Sequence, residues 1–475
     1  MEQIYCCLRC RGSLLPTEQG LMCSQCSVRY PSVNGITVLV REPIAYLRTE
    51  LALLNNESAA AKQRRNMIKD IAQDLGLSDI AVRRHHAVLD AEVARGEAFA
   101  ALLDPAVRMV RDFPESNAKP GASLGFRELG WSFQSLVSYL IRDWTNTSEL
   151  QEAQAFVGAL LQEAIPNPSK KTIAFAACGA AGLAATLPHA FGRVIAYDLT
   201  LPILAAARQL LDGASLDMAV PSFVNEEGRV RLLERNTGQG AAAMELAAMD
   251  AMTTAFIDGA VDCVVTSFVM DLMPDPRMLA KEIHRILGEG GIWINYGPYG
   301  SQDGWWCFDE MEGVKFFEAA GFEVLHSRKH RTSYLDITGT DSEATYRSHM
   351  CCATVCRKGA VGKVSPAKSL PTPDELPRLI PEHFPGAHLV HQQRLGPGGG
   401  RMLILRRERI RGRVESVEID DDMAHILTLV DGKKTVAEIA ALVSQRHGQL
   451  PASQIVQAFS RYFERKILSW RRPDR

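Results

Sequence analysis

The sequence predicts an α/β protein in which a Rossmann-like core follows a cysteine-rich ribbon and a helical cap and precedes a small winged-helix-like unit. Three observations predict this organisation. From Lys171 onward, short β-rich runs such as TIAFAA and RVIAYD alternate with helical stretches, which implies a parallel sheet wound with helices. Two pairs of cysteines precede a long tract with helical spacing. At 475 residues the chain is also too long for one ordinary core, and about 150 residues per domain suggests about three domains.

The composition is that of a globular protein, with 46% hydrophobic and 23% charged residues. A net charge of -2 provides no general field that would attract phosphates, so nucleic acid is not the expected partner. The first residues, MEQIYCCLRC, lack the pattern of a secretory signal, and no run approaches the roughly 20 apolar residues that span a bilayer. We therefore expect a cytoplasmic protein with no membrane partner.

The first element is a ribbon predicted over residues 1–41. Cys7-x2-Cys10 and Cys23-x2-Cys26 are 12 residues apart, a spacing that lets two short turns present four thiolates to one tetrahedral Zn²⁺. Four thiolates close the coordination sphere, so the predicted zinc is structural. In its order C-x2-C, C-x2-C, YP and GI, the segment resembles the zinc ribbon of the activator subunit of tRNA and release-factor methyltransferases.

Four further segments complete the organisation. Residues 42–168 have helical spacing and are predicted as a helical cap. The alternating pattern predicts the core over residues 169–358. Residues 359–374, rich in Gly, Pro and Ser, are typical of a linker. Residues 375–475 combine strand-like pieces with three helical stretches, which favours a winged-helix-like fold.

The first turn of the predicted sheet, AACGAAG, favours binding of a nucleotide-like cofactor. It contains only Gly179 and Gly182, so it is a degraded form of the three-glycine turn. Asp198 ends the next β-rich run about 20 residues later, where a carboxylate can accept hydrogen bonds from ribose hydroxyls. Asp250 and the neighbouring Ala251 are candidates for the adenine site, although a solvated loop aspartate explains Asp250 nearly as well.

Two further motifs carry a family resemblance that extends from about residue 137 to residue 358. GEGGIWINYGP resembles the GGxWINxGP signature of the carnosine N-methyltransferase family, which uses S-adenosylmethionine (SAM) to methylate a histidine imidazole nitrogen. LIRDWT resembles that family's RDWS segment, which helps to enclose the cofactor. The matching residues are Arg142, Asp143, Trp144, Gly290, Gly291, Trp293, Ile294, Asn295, Gly297 and Pro298. The resemblance implies a class I SAM-dependent methyltransferase core.

The resemblance also implies a set of site residues. The cofactor would be bound by Arg142, Trp144, Gly179, Asp198, Asp250 and Ala251, with Thr266, Ser267 and Asn295 lining the pocket. Asp271 matches the acidic residue that contacts the imidazole. Tyr334 and His349 are further catalytic candidates, for which a buried, hydrogen-bonded aromatic side chain is the alternative. After Pro298 the chain has YGSQ in place of the family's LLYH and so lacks a substrate-binding histidine.

The expected catalysis is chiefly positioning, because the sulfonium of SAM already activates the methyl group. Asp271 would orient the acceptor. If the acceptor is an imidazole, a carboxylate bonded to one ring N–H leaves the other nitrogen free to attack and stabilises the resulting cation.

The carboxyl-terminal segment LTLVDGKKTVAEIAALVSQRHG resembles the peptide-binding domain of pyrroloquinoline quinone biosynthesis, relatives of which bind leader peptides. Such a domain adds the peptide as a strand to its sheet edge. The alternative is a winged helix that binds nucleic acid. It is supported by a cluster of arginines, which alternation along a strand also explains as one solvated face. These are Arg401, Arg406, Arg407, Arg409, Arg411 and Arg413.

Three functions remain open at this point. The first is a SAM-dependent N-methyltransferase that modifies a histidine, or another nitrogen, of a ribosomally made natural-product precursor or a peptide-like substrate. The second is an RNA methyltransferase that uses the ribbon and the basic arm to hold RNA. The third is a non-catalytic binding protein that retains the fold, which the degraded glycine loop supports.

Overall fold

The computed structural model describes most of the chain in two compact units. The first comprises residues 1–114, 131–299 and 308–364, and the second comprises residues 115–130, 300–307 and 365–475. The described residues are 4–74, 76–112, 133–145, 147–187, 191–220, 229–233, 244–273, 275–300, 306–333, 348–359, 374–383, 387–393, 401–408, 414–419, 421–447, 452–464 and 468–472.

The amino-terminal ribbon is a small antiparallel meander. Its strands are β1 (Leu14–Thr17), β2 (Gly20–Cys23), β3 (Arg29–Val33) and β4 (Ile36–Val38). Asn34 and Gly35 form the turn between β3 and β4 with φ angles of 51° and 76°, a conformation that favours Asn-Gly. This turn leads directly into β4.

Four helices follow the ribbon. They are α1 (Pro43–Asp74), α2 (Asp79–Asp112), α3 (Phe133–Trp144) and α4 (Ser148–Ala164). The first two pack against each other as a helical hairpin. Thr147 caps α4 because its side chain accepts a hydrogen bond from the backbone N–H of Leu150. Within the described part of the chain, no helix combines the length and apolar character that a membrane crossing requires.

The core is a doubly wound sheet. Its strands are β5 (Thr172–Ala176), β6 (Arg193–Asp198), β9 (Met244–Ala248), β10 (Val261–Ser267), β11 (Leu287–Gly297), β12 (Phe322–Ser333) and β13 (Ser348–Lys358). They lie in the order β9-β6-β5-β10-β11-β13-β12. The first five are parallel, and β13 is antiparallel to both of its neighbours. The alternating sequence pattern therefore predicted the parallel sheet correctly.

Four helices and one short strand pair accompany this sheet. The helices are α5 (Gly182–Thr186), α6 (Leu201–Leu211), α7 (Pro276–Ile286) and α8 (Glu310–Ala319), and the pair is β7 (Leu216–Val220) with β8 (Arg229–Leu233). Continuous apolar runs such as Ile195, Ala196 and Tyr197 of β6 are wholly buried, as expected for a parallel strand covered on both faces.

The ribbon and the core share one sheet of 11 strands, because β4 pairs in parallel with β9. Thr37 lies opposite Ala247, and Val38 lies opposite Ala248. The Tyr5 hydroxyl also donates a 2.6 Å hydrogen bond to Glu245 of β9. The ribbon thereby covers what would be the exposed edge of the core sheet. The boundary predicted at residue 41 falls inside one compact unit.

The second unit combines two small sheets with three helices. Its elements are β14 (Ile380–His383), β15 (His388–Gln393), β16 (Arg401–Glu408), β17 (Val414–Ile419), α9 (Asp421–Leu429), α10 (Val436–His447), α11 (Ala452–Glu464) and β18 (Leu468–Arg471). Strand β14 pairs with β18, and β15, β16 and β17 form an antiparallel sheet in chain order. Asp431 and Gly432 lie in the turn between α9 and α10.

Candidate functional site

The candidate site lies at the carboxyl ends of the parallel strands, where the order of the sheet reverses between β5 and β10. Doubly wound sheets bind their ligands at this point. The loop from β5 to α5 passes through it with left-handed backbone at Ala177, Gly179 and Ala181, whose φ angles are 47°, 58° and 61°. The degraded glycine turn therefore bends as a glycine-rich turn does, although two of these three positions carry alanine.

Asp198 ends β6 beside this loop, as the sequence predicted. One carboxylate oxygen accepts a 2.9 Å hydrogen bond from the backbone N–H of Gly179, and the other accepts a 2.8 Å bond from the N–H of Thr200. Burial raises the pKa of Asp198, and the hydrogen bonds from the backbone oppose that increase. Each oxygen retains a lone pair, so the carboxylate can still accept from a ribose hydroxyl.

Arg142 approaches the loop from the last turn of α3. Its Nε donates to Asp143 at 2.6 Å, its Nη1 lies 3.9 Å from Glu149, and its guanidinium lies 5.1 Å from the ring centre of Tyr139. Burial would lower the pKa of Arg142, but the carboxylates of Asp143 and Glu149 raise it above its ordinary value. The guanidinium, on a side chain that is 17% exposed, is therefore a largely buried cation beside Gly179.

A pocket of about 310 Å³, part of it open to solvent, lies against these residues. Its walls come from α3, α4, α5 and the ends of β10, β11 and β12. They comprise Arg142, Asp143, Glu149, Leu150, Ala153, Leu183, Ser267, Phe268, Tyr296 and Thr332. The lining thus combines one cation, two carboxylates, two aromatic rings and two hydroxyl side chains.

Among the predicted lining residues, the structure separates Ser267 from Thr266 and Asn295. Ser267 lines the pocket. Thr266 and Asn295 each precede a pocket residue in a strand, so their side chains point to the opposite face of the sheet. There Thr266 donates to Asn295 at 2.9 Å and accepts a bond of the same length from Trp293. Both residues belong to the buried core on that face.

Trp144, Asp250 and Ala251 lie near the cofactor loops. The indole N–H of Trp144 donates to the carbonyl of Ala180 at 3.0 Å, so this side chain contacts the loop's backbone. Asp250 follows β9 and accepts a 2.9 Å bond from the N–H of Met252, which orders the turn. Ala251 is buried within it. The turn lies beside the end of β6, because the N–H of Met249 donates to the carbonyl of Asp198.

The residues predicted to orient the methyl acceptor lie on the β10 side of the point where the strand order reverses. Asp271 is 3% exposed in a short 3-10 turn, Met270–Leu272, after β10. Burial and the Asp271 carboxylate raise the pKa of the Cys351 thiol, on β13, to about 12. His349 lies opposite Thr332, and its ring centre is 6.3 Å from that of Phe268. Tyr334 lies outside the described residues.

The sequence did not reveal four prominent pocket residues, namely Glu149, Phe268, Tyr296 and Thr332. Glu149 reads as an ordinary first-turn acid of α4, and Tyr296 and Thr332 read as ordinary strand residues. Phe268 has a left-handed φ of 53°, which no sequence pattern indicates. Position along the chain was the available signal for two of them, because each directly follows a residue that was predicted to line the pocket. Phe268 follows Ser267, and Tyr296 follows Asn295.

The four predicted zinc ligands converge on one point. The sulfur atoms of Cys7, Cys10, Cys23 and Cys26 all lie within 4.8 Å of one another. The Cys7–Cys26, Cys10–Cys23 and Cys10–Cys26 sulfur distances are 3.5, 3.4 and 3.5 Å. Tetrahedral Zn²⁺ with Zn–S bonds of about 2.3 Å places its sulfurs about 3.8 Å apart, so the cluster fits structural zinc.

Comparison with known proteins agrees with this geometry. A methyltransferase domain model matches residues 176–295, which include the glycine loop, Asp198, Asp250 and most of β10 and β11. The search among curated proteins gave no significant match. The matched domain and the strand order together define a methyltransferase domain with the class I fold, the fold of enzymes that use SAM.

Three of the solved structures that are similar to this chain each cover less than half of it. A candidate methyltransferase from Bacillus halodurans is 17% identical, with 43% of this chain and 99% of that chain covered and a TM-score of 0.31. The [4+2]-cyclase SpnF is 16% identical over 48% and 92% of the two chains, with a TM-score of 0.34. A SAM-dependent methyltransferase from Methanosarcina mazei is 13% identical over 42% and 97%, with a TM-score of 0.28.

Proposed function

We propose that this protein is a SAM-dependent N-methyltransferase that modifies an imidazole, or another nitrogen, of a peptide or peptide-like substrate. SAM supplies an activated methyl group. The residues of the chain bind it, exclude water and hold the acceptor nitrogen in line with the methyl group, an effect that contributes several kcal/mol to catalysis.

The cofactor side of the site is formed by the glycine loop, Asp198 and Arg142. Asp198 accepts from the ribose, as carboxylates at the end of the second strand do. Arg142 presents a buried guanidinium at the pocket, and a guanidinium suits the carboxylate of the methionine moiety. Together these residues would hold SAM at the carboxyl ends of the parallel strands, where it would supply the activated methyl group.

The observation that carries the nitrogen assignment is the character of the pocket lining. Methyl transfer to a neutral nitrogen produces a cation, and both carboxylates and aromatic faces stabilise cations. Beside the Arg142–Asp143 ion pair, the pocket contains the carboxylate of Glu149 and the rings of Phe268 and Tyr296. Such a lining stabilises the charge that appears on nitrogen as the methyl group is transferred.

Asp271 is the residue proposed to orient the acceptor. It is buried after β10, two residues beyond Val269 and three beyond the pocket residue Phe268. A carboxylate that accepts from one imidazole N–H keeps the other nitrogen free as the nucleophile. His349 and Thr332 lie opposite each other across the β12–β13 pair and would extend the polar side of the site.

The proposed peptide substrate is supported by the second unit. Its antiparallel sheet β15-β16-β17 has two outer strands, β15 and β17. A sheet edge can bind an extended peptide through main-chain hydrogen bonds. We therefore propose that a leader peptide binds this unit while the acceptor side chain is modified in the first unit.

The decisive experiment is mass spectrometry on histidine-containing peptides incubated with SAM and the full, zinc-loaded chain. We expect the mass gain of one methyl group, located by fragmentation on a side-chain nitrogen. Glu149→Gln should reduce the yield, whereas Glu289→Gln, at an exposed position near the start of β11, should not. Methylation of RNA but of no peptide would support the RNA alternative, and SAM binding without any methylation would support the non-catalytic one.

A further inference from the structure

The loop between β5 and α5 holds an alanine in a backbone conformation that favours glycine. Ala181, at the start of α5, has φ 61° and ψ 15°. A Cβ atom in the left-handed region is too close to the backbone, so this conformation is strained for alanine and free for glycine. Contacts from outside the loop can offset this strain.

Two consecutive residues at the end of α3 supply such contacts on both sides of Ala181. The indole N–H of Trp144 donates to the carbonyl of Ala180 at 3.0 Å, and the carboxylate of Asp143 accepts from the N–H of Gly182 at 3.0 Å. Trp144 is 8% exposed and Asp143 is 3% exposed, so water does not compete strongly for either bond.

The orientation of Asp143 is itself constrained. The Nε of Arg142 donates to the other oxygen of Asp143 at 2.6 Å. A Cβ added at Gly182 would lie 2.3 Å from the Cβ of Asp143. The end of α3 and the start of α5 are thus in direct contact, and only glycine at position 182 allows that approach.

We propose that Asp143 and Trp144 are positioning residues for the cofactor. They hold Ala181 in the left-handed conformation and thereby fix the path of the loop backbone beside Asp198, to which the N–H of Gly179 donates. In this chain they replace the conformational freedom that a further glycine would supply. The proposal depends on the methyltransferase domain and not on the identity of the acceptor.

Calorimetric titration of the full, zinc-loaded chain with SAM tests this role. Trp144→Phe keeps the ring and removes the donor, and we expect SAM to bind about three- to tenfold more weakly. Adding Ala181→Gly to that variant should recover most of the affinity, because glycine needs no support in the left-handed region. The matched control is Ala180→Gly, which loosens the same loop at a position where φ is not positive, and it should give no recovery.

Two further measurements distinguish weaker SAM binding from a simple loss of folding. Thermal unfolding without SAM reports stability. Asp143→Asn provides a second variant of nearly the same shape, in which Ala181→Gly should recover the part of the SAM affinity that the contact with Gly182 supplies, although not the part that depends on Arg142. Unchanged SAM affinity in both Trp144→Phe and Asp143→Asn would overturn the proposal. Equal recovery by the two glycine substitutions would also overturn it, because general flexibility would then explain the effect.

Discussion

The carboxylate of Asp198 accepts a 2.9 Å hydrogen bond from the backbone N–H of Gly179, which joins the end of β6 to the loop after β5. The same carboxylate accepts from Thr200 at the start of α6. One side chain therefore orders two loops that flank the cofactor site, in addition to the ribose contact proposed for it.

Replacement of Asp198 by Asn should strongly weaken SAM binding. The variant loses the charge that strengthens both backbone bonds, and its amide NH₂ would face a donor. Since hydrogen bonds to charged groups contribute about 1.5–3 kcal/mol, we expect at least about a tenfold increase in the Kd for SAM, measured by calorimetry. Asp212→Asn, at a side chain that is 61% exposed, is the control and should bind normally. An unchanged Kd in Asp198→Asn would remove this residue from the cofactor site.

Replacement of Asp271 by Asn should separate acceptor chemistry from cofactor binding. The variant cannot stabilise the cation formed on nitrogen, so we expect turnover to fall by about a hundredfold or more while the Kd for SAM changes little. Methylation rate and calorimetry measure the two quantities. Equal losses of turnover and of SAM affinity would indicate that Asp271 supports the fold of the site instead.

Replacement of Gly182 by Ala should destabilise the first unit. The added Cβ would lie 2.3 Å from the Cβ of Asp143, so α3 and α5 must move apart. Overpacking of this kind costs about 1–3 kcal/mol, measurable by denaturant unfolding. Gly158→Ala is the control because its Cβ would meet only the end of the Leu187 side chain, at 3.3 Å, within a helix that favours alanine. Equal stability of the two variants would contradict the close contact.

Replacement of Glu50 by Ala should show how α1 supports the cofactor side. Its buried carboxylate accepts from the N–H of Leu201 at the start of α6, at 3.2 Å. Loss of the acceptor leaves that N–H unpaired, which costs about 1–3 kcal/mol, so the unfolding free energy should decrease by this amount. Thr49→Ala, at an exposed position on the same helix, should have little effect. An unchanged unfolding free energy in Glu50→Ala would mean that this hydrogen bond contributes nothing to stability.

Removal of zinc should weaken the edge of the core sheet. Since β4 pairs with β9, loss of the ribbon would expose β9 as an edge strand. We expect chelation, or Cys10→Ser, to abolish zinc binding and to lower the unfolding temperature by at least about 5 °C. Cys307→Ser, at an exposed cysteine outside the cluster, should retain one zinc ion per chain by elemental analysis. Full stability without zinc would show that the ribbon folds independently of the metal.

Much of the fold could be predicted because it follows from local pattern. The alternation from Lys171 predicted the parallel strands, and the paired cysteines predicted the convergent cluster. It was harder to predict from the sequence which side of the sheet a residue faces. Thr266 and Asn295 were placed in the pocket by resemblance, but each lies one residue from a pocket residue, and a shift of one position in a strand reverses the face.

The sequence by itself determined the alternating strands and helices of the core, the end of β6 at Asp198 and the spacing of the paired cysteines. Each of these depends on neighbouring residues. Tertiary structure alone decided which distant segments meet. It joined β4 of the ribbon to β9, and it placed Glu149 of α4 beside Thr332 of β12 in one pocket. It also supplied the support from α3 that lets alanine adopt a left-handed conformation at position 181. Strand pairing and side-chain contact over such separations arise from packing of the whole unit, which no local pattern contains.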